Sequence, residues 1–311
     1  MSDRAIIDIG PLGFPWKTAD PFLFCVHHND RYPAGNGAFG PAPELLRGRN
    51  MGSDFSGQDG WSMYHGDSVP GFPQHPHRGF ETITLVRKGR IDHSDSLGAT
   101  ARFGGGDAQW MTAGKGIVHS EMFPLLDEKR GNHLELFQIW ITLPAQDMMV
   151  DPYFSTVWAE DTPRFVEGGV DVAVIAGELA GRRGQKPPPN SWAARAEADV
   201  AIWTLALSEG SDIVLPPTKA DTRRTVYFFE GERLLVSGQP IDGPHRVEVR
   251  ADVPVKLSAP AKAQALVLQG RPIGEPVAQH GPFVMNSIDE IRDAYRDYQR
   301  TQFGGWPWPN H

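Results

Sequence analysis

Gln74-His75-Pro76-His77-Arg78-Gly79-Phe80-Glu81-Thr82 and Gly114-Lys115-Gly116-Ile117-Val118-His119-Ser120-Glu121-Met122 are the two stretches around which the chain is organised. Each carries two metal-capable side chains two residues apart. In a β-strand, residues i and i+2 point to the same face. His75 and His77 therefore aim together, and so do His119 and Glu121. If the two strands are neighbours in a small barrel, three imidazoles and one carboxylate converge inside it. That donor set suits a first-row divalent metal such as iron, manganese, nickel, copper or zinc. Four protein ligands on an ion that takes six leave room for a substrate or dioxygen. A single His-x-His is a weak signal, because alternating histidines are often plain core or surface residues. Two such pairs, each on a β-type segment beside a glycine turn, form a narrower pattern. The competing reading is a barrel interior whose polar groups satisfy one another without an ion.

Outward from these stretches, the strands come quickly. Residues 80–86 alternate β-branched and apolar side chains, Arg87-Lys88-Gly89-Arg90 reads as a hairpin turn, and 91–94 begin the return strand. Gly104-Gly105-Gly106-Asp107 is another turn, Ala108–Thr112 another strand, and 133–143 a longer one ending at Pro144. Closely spaced strands with turn signals predict a sandwich or barrel rather than βαβ units. Residues 145–190 are a proline-punctuated join that holds one clear strand at 169–177. A second series follows, at 201–207, 212–217, 225–229, 233–237, 246–249, 255–257 and 264–269, and its spacing echoes the first. Its histidines, His245 and His280, are far apart, so no metal is predicted there. Ser287-Ile288-Asp289-Glu290 has the form of a capping box. It predicts a helix running to Thr301, with Ile288, Ile291, Tyr295 and Tyr298 as one apolar stripe. The tail Phe303-Gly304-Gly305-Trp306-Pro307-Trp308 is apolar and docks either on the body or on a partner.

The length of 311 residues suits two domains. They are placed at 1–150, with a long loop at 29–73, and at 151–311, ending in the helix 287–301. The 34 glycines and 27 prolines supply the many turns of an all-β chain. A net charge of −8 argues against a nucleic-acid surface. Arg182-Arg183 and Arg223-Arg224 are too short to change that, and read as solvated loops or carboxylate partners. The single cysteine, Cys25, excludes an intrachain disulfide, fits a reducing compartment and reads as a small buried hydrophobe. No apolar run approaches the roughly 18 residues of a membrane span, and the first ten residues carry no signal-peptide core. The expected location is the cytoplasm. The loop 29–73 runs directly into His75, so it borders the metal mouth on one reading. Trp61, Met63, Tyr64 and His65 would then touch substrate; on the other, they pin a surface loop.

His75-x-His77-x3-Glu81 followed by Gly89 resembles the first cupin motif. Gly106 to His119, with Gly116-x2-His119, resembles the second, although Gly114 stands where many cupins have proline. More narrowly, His-Pro-His-Arg-Gly-Phe-Glu-Thr (75–82) and Gln-Trp-Met-Thr-Ala-Gly-Lys-Gly-Ile-Val-His-Ser-Glu-Met (109–122) closely resemble the pirin family. So does Val-Ala-Gln-His-Gly-Pro-Phe-Val-Met-Asn (277–286). The resemblance implies an all-β bicupin, two jelly-roll barrels with a short C-terminal helix. It implies one divalent metal per chain in the N-terminal barrel, at His75, His77, His119 and Glu121. Iron(II) comes first, with zinc, manganese, nickel or copper as alternatives. Many cupins use the glutamate at the position of Glu81 as a ligand, whereas pirins use the one after the third histidine. Glu121 is therefore chosen, and Glu81 is given a supporting role, since by parity it shares the face of His75 and His77. His93 and His133 read as structural. Several members resemble flavonol dioxygenases that open quercetin, while others are described as nuclear cofactors of transcription factors. The resemblance thus implies a dioxygenase acting on a flavonol-like small molecule, with Glu121 as ligand and general base. The alternative it implies is a non-enzymatic, metal-dependent module that binds a protein partner. Neither nucleic acid nor membrane is an expected partner.

Overall fold

Alternation and turn chemistry at 80–143 produce the expected strands, Phe80–Lys88, Ile91–Asp95, Ala108–Thr112, Ile117–Met122 and Asn132–Thr142, and Thr100–Phe103 is one the sequence reading did not name. The structure, a computed structural model, describes residues 5–309. Among them there is one α-helix, Ile288–Thr301, and it is too short and polar to cross a membrane.

The chain divides into two compact units. One gathers Val26–Ile139, Leu143–Ala159 and Glu275–His311. Its four-stranded sheet runs in the order Gly71–His77, Ile117–Met122, Ile91–Asp95, Thr100–Phe103. Its five-stranded sheet runs Tyr153–Val157, Ala108–Thr112, Phe80–Lys88, Asn132–Thr142, Phe22–Tyr32. Tyr153–Val157, inside the proline-punctuated join, thus pairs with Ala108–Thr112. Ser287 caps the helix, accepting from the Glu290 backbone N–H, as the sequence predicted. The docked stripe differs from the predicted one. Ile291 and Ala294 are buried with Phe283, Leu143 and Met148, with Tyr295 and Tyr298 beside them, while Ile288 is exposed. Ile288 is the first helical residue, ahead of the turns that meet the sheet. The apolar tail docks on the body: the Trp308 indole donates to the Asp95 carbonyl at 2.8 Å.

The loop 29–73 is held from inside. The buried Arg49 guanidinium stacks 3.4 Å from the Trp61 ring and pairs with Asp54 at 2.9 Å. It also donates to the carbonyls of Gln58 and Trp61. Trp61, Met63 and Tyr64 pack with Tyr32, Phe123 and Leu125 in a buried cluster, and His65 lies exposed. The Tyr64 hydroxyl sits 2.8 Å from both Asp30 Oδ2 and His28 Nδ1. Pinning by aromatics is therefore the reading the structure supports. Phe72 links this cluster to the histidines, with its ring 5.2 Å from Tyr64 and 6.4 Å from His75.

The other unit gathers Met1–Cys25, Trp140–Thr142 and Glu160–Gly274. A seven-stranded sheet, from Ile6–Pro11 at one edge to Arg164–Glu167 at the other, accompanies a four-stranded sheet of Ser211–Leu215, Val255–Ala259, Arg233–Val236 and Gln239–Asp242. Its core cluster is aliphatic and aromatic throughout, with Val226, Phe228, Trp203, Leu205 and Leu257 among its members. Cys25 is buried, and burial pushes its thiol up, as an inert small hydrophobe requires. Arg223 finds a carboxylate partner in Glu248, but Arg224 is no solvated loop residue. It is buried, with Nε and Nη2 on the Gln269 side-chain oxygen, because its strand starts inside the sheet.

Candidate metal centre

Strands Gly71–His77 and Ile117–Met122 pair antiparallel, with His75 opposite His119. On its other side Ile117–Met122 meets Ile91–Asp95, placing Asp95 opposite His119 and His93 opposite Glu121. Directly opposed residues share a sheet face. One face thus carries His75, His119, Glu121, His93 and Asp95, and alternation adds His77. The three ligand atoms that His75, His77 and His119 offer lie within 4.8 Å of one another. Glu121 stands outside that trio. Its Oε1 accepts from the Thr84 hydroxyl at 2.8 Å and from the Gln109 amide at 3.3 Å, and its Oε2 from the Gln138 amide at 2.9 Å.

The donor set fits a cation. His75 Nδ1 lies 2.8 Å from the Pro73 carbonyl, and His77 Nδ1 lies 3.1 Å from the Pro282 carbonyl. A carbonyl only accepts, so both Nδ1 atoms carry the proton. Their Nε2 lone pairs then face each other across 3.1 Å. Two lone pairs at that distance repel unless a positive charge lies near both. His119 is fully buried, and neither of its ring nitrogens has a partner. An orphaned buried polar group costs about 1–3 kcal/mol, a cost that a bound metal would remove. A proton is a poor substitute. Burial pulls His75 down to about 4 and drives His77 and His119 well below the ordinary histidine value. The imidazoles are therefore neutral near pH 7, the state in which they bind metals. Burial pushes the Glu121 carboxyl up, with nearby His93 and the Thr84, Gln138 and Gln109 hydrogen bonds opposing it.

Glu81 does not share the histidine face. Gly79 sits at φ 86 between the two strands, and the chain passes there from the four-stranded to the five-stranded sheet. Parity counted from His77 does not survive that turn. Phe80, whose ring centroid is 5.0 Å from that of His77, and Thr84 face the site, so Glu81 points to the opposite face and accepts from Thr112 at 2.6 Å. His93 is buried on Asp95 at 3.0 Å, while His133 pairs with Asn29. Sequence reasoning missed Thr84, Gln109 and Gln138, the frame around Glu121. The available signal was an amide set among apolar neighbours, Gln109 beside Trp110 and Met111, and Gln138 between Phe137 and Ile139. Such an amide needs a buried partner.

Two family models match the chain, Pirin over residues 45–141 and the Pirin C-terminal cupin domain over residues 202–304. A Pirin-like protein of Caulobacter vibrioides is 38% identical over 238 residues, covering 76% of this chain and 82% of its own. Pirin of Homo sapiens is 34% identical over 248 residues, covering 78% and 80%. Among solved structures, a quercetin 2,3-dioxygenase from Acinetobacter baumannii matches with a TM-score of 0.76 at 25% identity, over 96% of this chain and 98% of its own. With both barrels matched and relatives aligned along most of their length, this chain belongs to the pirin family of bicupin proteins.

Proposed function

We propose that the chain is a metal-dependent dioxygenase of the quercetin 2,3-dioxygenase type, acting on a flavonol or a similar enol. One observation carries the reading: the facing Nε2 atoms of His75 and His77, with the orphaned His119 beside them, in a barrel interior that also holds a buried carboxylate. His75, His77 and His119 would hold the metal, with Glu121 as the fourth ligand, and iron(II) is the first candidate ion. The metal, when bound, supplies a Lewis acid and a meeting point for the substrate oxygens and dioxygen. Glu121 Oε1 or Oε2 takes the proton of the substrate hydroxyl. Thr84, Gln109 and Gln138 fix the carboxylate so that the proton is received in one orientation. Loss of that proton raises electron density on the substrate ring. Dioxygen then adds across it and carbon monoxide leaves.

The test is oxygen uptake with quercetin by metal-reconstituted protein. Uptake should require the metal and vanish in His75→Ala. Glu121→Gln, which keeps size and most hydrogen bonding but not basicity, should lower turnover by at least a hundredfold. Full turnover by metal-loaded Glu121→Gln would remove the base role. Stoichiometric metal without uptake on several enols would remove the enzyme.

A further inference from the structure

The two imidazoles that face each other are oriented by carbonyls of different origin. Pro73, which holds His75, lies two residues away on the same strand. Pro282, which holds His77, lies 205 positions further along the chain. The direction of the His77 lone pair therefore depends on how the closing segment docks. That docking converges on Arg78, the residue next to His77. Its buried guanidinium donates from Nε to the Lys115 carbonyl at 2.7 Å and from Nη1 to Asp297 Oδ2 at 3.0 Å. The Phe303 ring lies 4.5 Å from the same guanidinium. The Arg78 carbonyl accepts from the Val284 N–H at 3.0 Å. Glycines make room for the approach. A Cβ on Gly79 would fall 1.8 Å from the Val284 carbonyl oxygen, and one on Gly116 would fall 2.6 Å from the Phe303 ring. Gly116 immediately precedes the strand that carries His119.

We propose that Arg78, Asp297 and Phe303 are positioning residues for the metal: they seat Pro282 against His77 and thereby set the affinity of the histidine site. The inference rests on the reading that these histidines bind a metal. Packing alone would make the same contacts matter for stability and leave metal affinity untouched. Positioning makes affinity and ligand field respond, because a histidine that loses its outer hydrogen-bond partner loses about 10- to 100-fold in metal affinity.

The experiment uses the full chain. Zinc affinity is measured by competition with a chromophoric chelator, the absorption bands of the cobalt(II)-loaded protein report the ligand field, and the melting temperature of metal-free protein reports packing. Asp297→Asn and Phe303→Ala should each weaken zinc by about tenfold and shift the cobalt bands. Asp297→Glu should recover most of the affinity. Asp289→Asn, on the exposed side of the same helix, should change nothing. Wild-type affinity and spectrum in folded Asp297→Asn would overturn the proposal, whatever happens to melting. That variant carries the test if Phe303→Ala does not fold, since the Asp297 side chain is 38% exposed. If wild type binds no zinc, the metal reading itself falls and the proposal with it. Binding by wild type that is lost in His75→Ala separates that failure from this one.

Discussion

Inside one barrel, Trp203, Leu205, Val226, Phe228 and Leu257 pack together in a hydrophobic core cluster. Inside the other, Thr84, Gln109 and Gln138 surround Glu121, and His93 and Asp95 stand beside three clustered histidines. Both are antiparallel barrels of similar strand spacing, so the architecture does not require a polar interior. Aliphatic and aromatic side chains fill the core of the second barrel. Polar groups in the first are therefore a cost, about 1–3 kcal/mol for each one left without a partner, and an expected metal ligand is among those that carry it. His119 is the sharpest case, with two orphaned nitrogens at full burial.

The comparison breaks if the polar interior is only a badly packed core. His119→Ala should then relieve an unpartnered group and change nothing else. On the present reading it abolishes metal binding, a loss of more than about a thousandfold, or roughly 4 kcal/mol, measured by metal analysis and chelator competition. Unchanged metal content in His119→Ala would sink the site.

The reverse test falls on the second barrel. Leu257 is fully buried there, and Leu257→Ala should cost about 2–5 kcal/mol through lost burial and the cavity left behind. Urea unfolding followed by tryptophan fluorescence reads this, with Trp203 reporting on its own barrel. Metal affinity should remain at the wild-type value. A parallel loss of affinity would show that the two interiors are not independent.

How much of this was legible beforehand follows from range along the chain. His75 with His77, and His119 with Glu121, are local pairs, and strand alternation aligns them before any partner strand is known. The turns at 87–90 and 104–107 are equally local. Glu81 marks the limit of alternation, since the strand period carries no information across the Gly79 turn into a second sheet. Gln109 and Gln138 come from strands on the opposite wall, and nothing near them in sequence names Glu121 as their acceptor. Arg78 and Asp297 are 219 positions apart, and the docking of the tail on Asp95 was equally open. Ile288 obeyed the helical period and was still exposed, because the period gives a face and not where its contact begins.

Buried charge offers the finest test of the comparison. In the first unit the Glu135 side chain is fully buried, ion-paired with Arg87 and with Lys88 at 2.8 Å, and hydrogen-bonded to His27 at 3.2 Å. Burial pushes its carboxyl up, but the His27 and Lys88 hydrogen bonds and the charges of Arg87 and Lys88 outweigh burial and hold it at about 2. The second unit's buried charge, Arg224, is pulled down by burial only to about 10, so it stays charged throughout the acid range. The signs then differ. Between the ordinary glutamate value and about 2, the unfolded chain binds a proton that folded Glu135 refuses, so stability falls as pH falls through that window. Glu135 thus contributes roughly 2 kcal/mol above about pH 5, after allowance for the half-exposed Lys88, and nothing below about pH 2. Glu135→Gln should lose that amount at pH 7 and progressively less toward pH 3, in urea unfolding monitored at several pH values. Arg224→Gln should show a constant difference from wild type over the same range. A flat profile for Glu135→Gln would mean that its cations stabilise the folded state without depending on its charge.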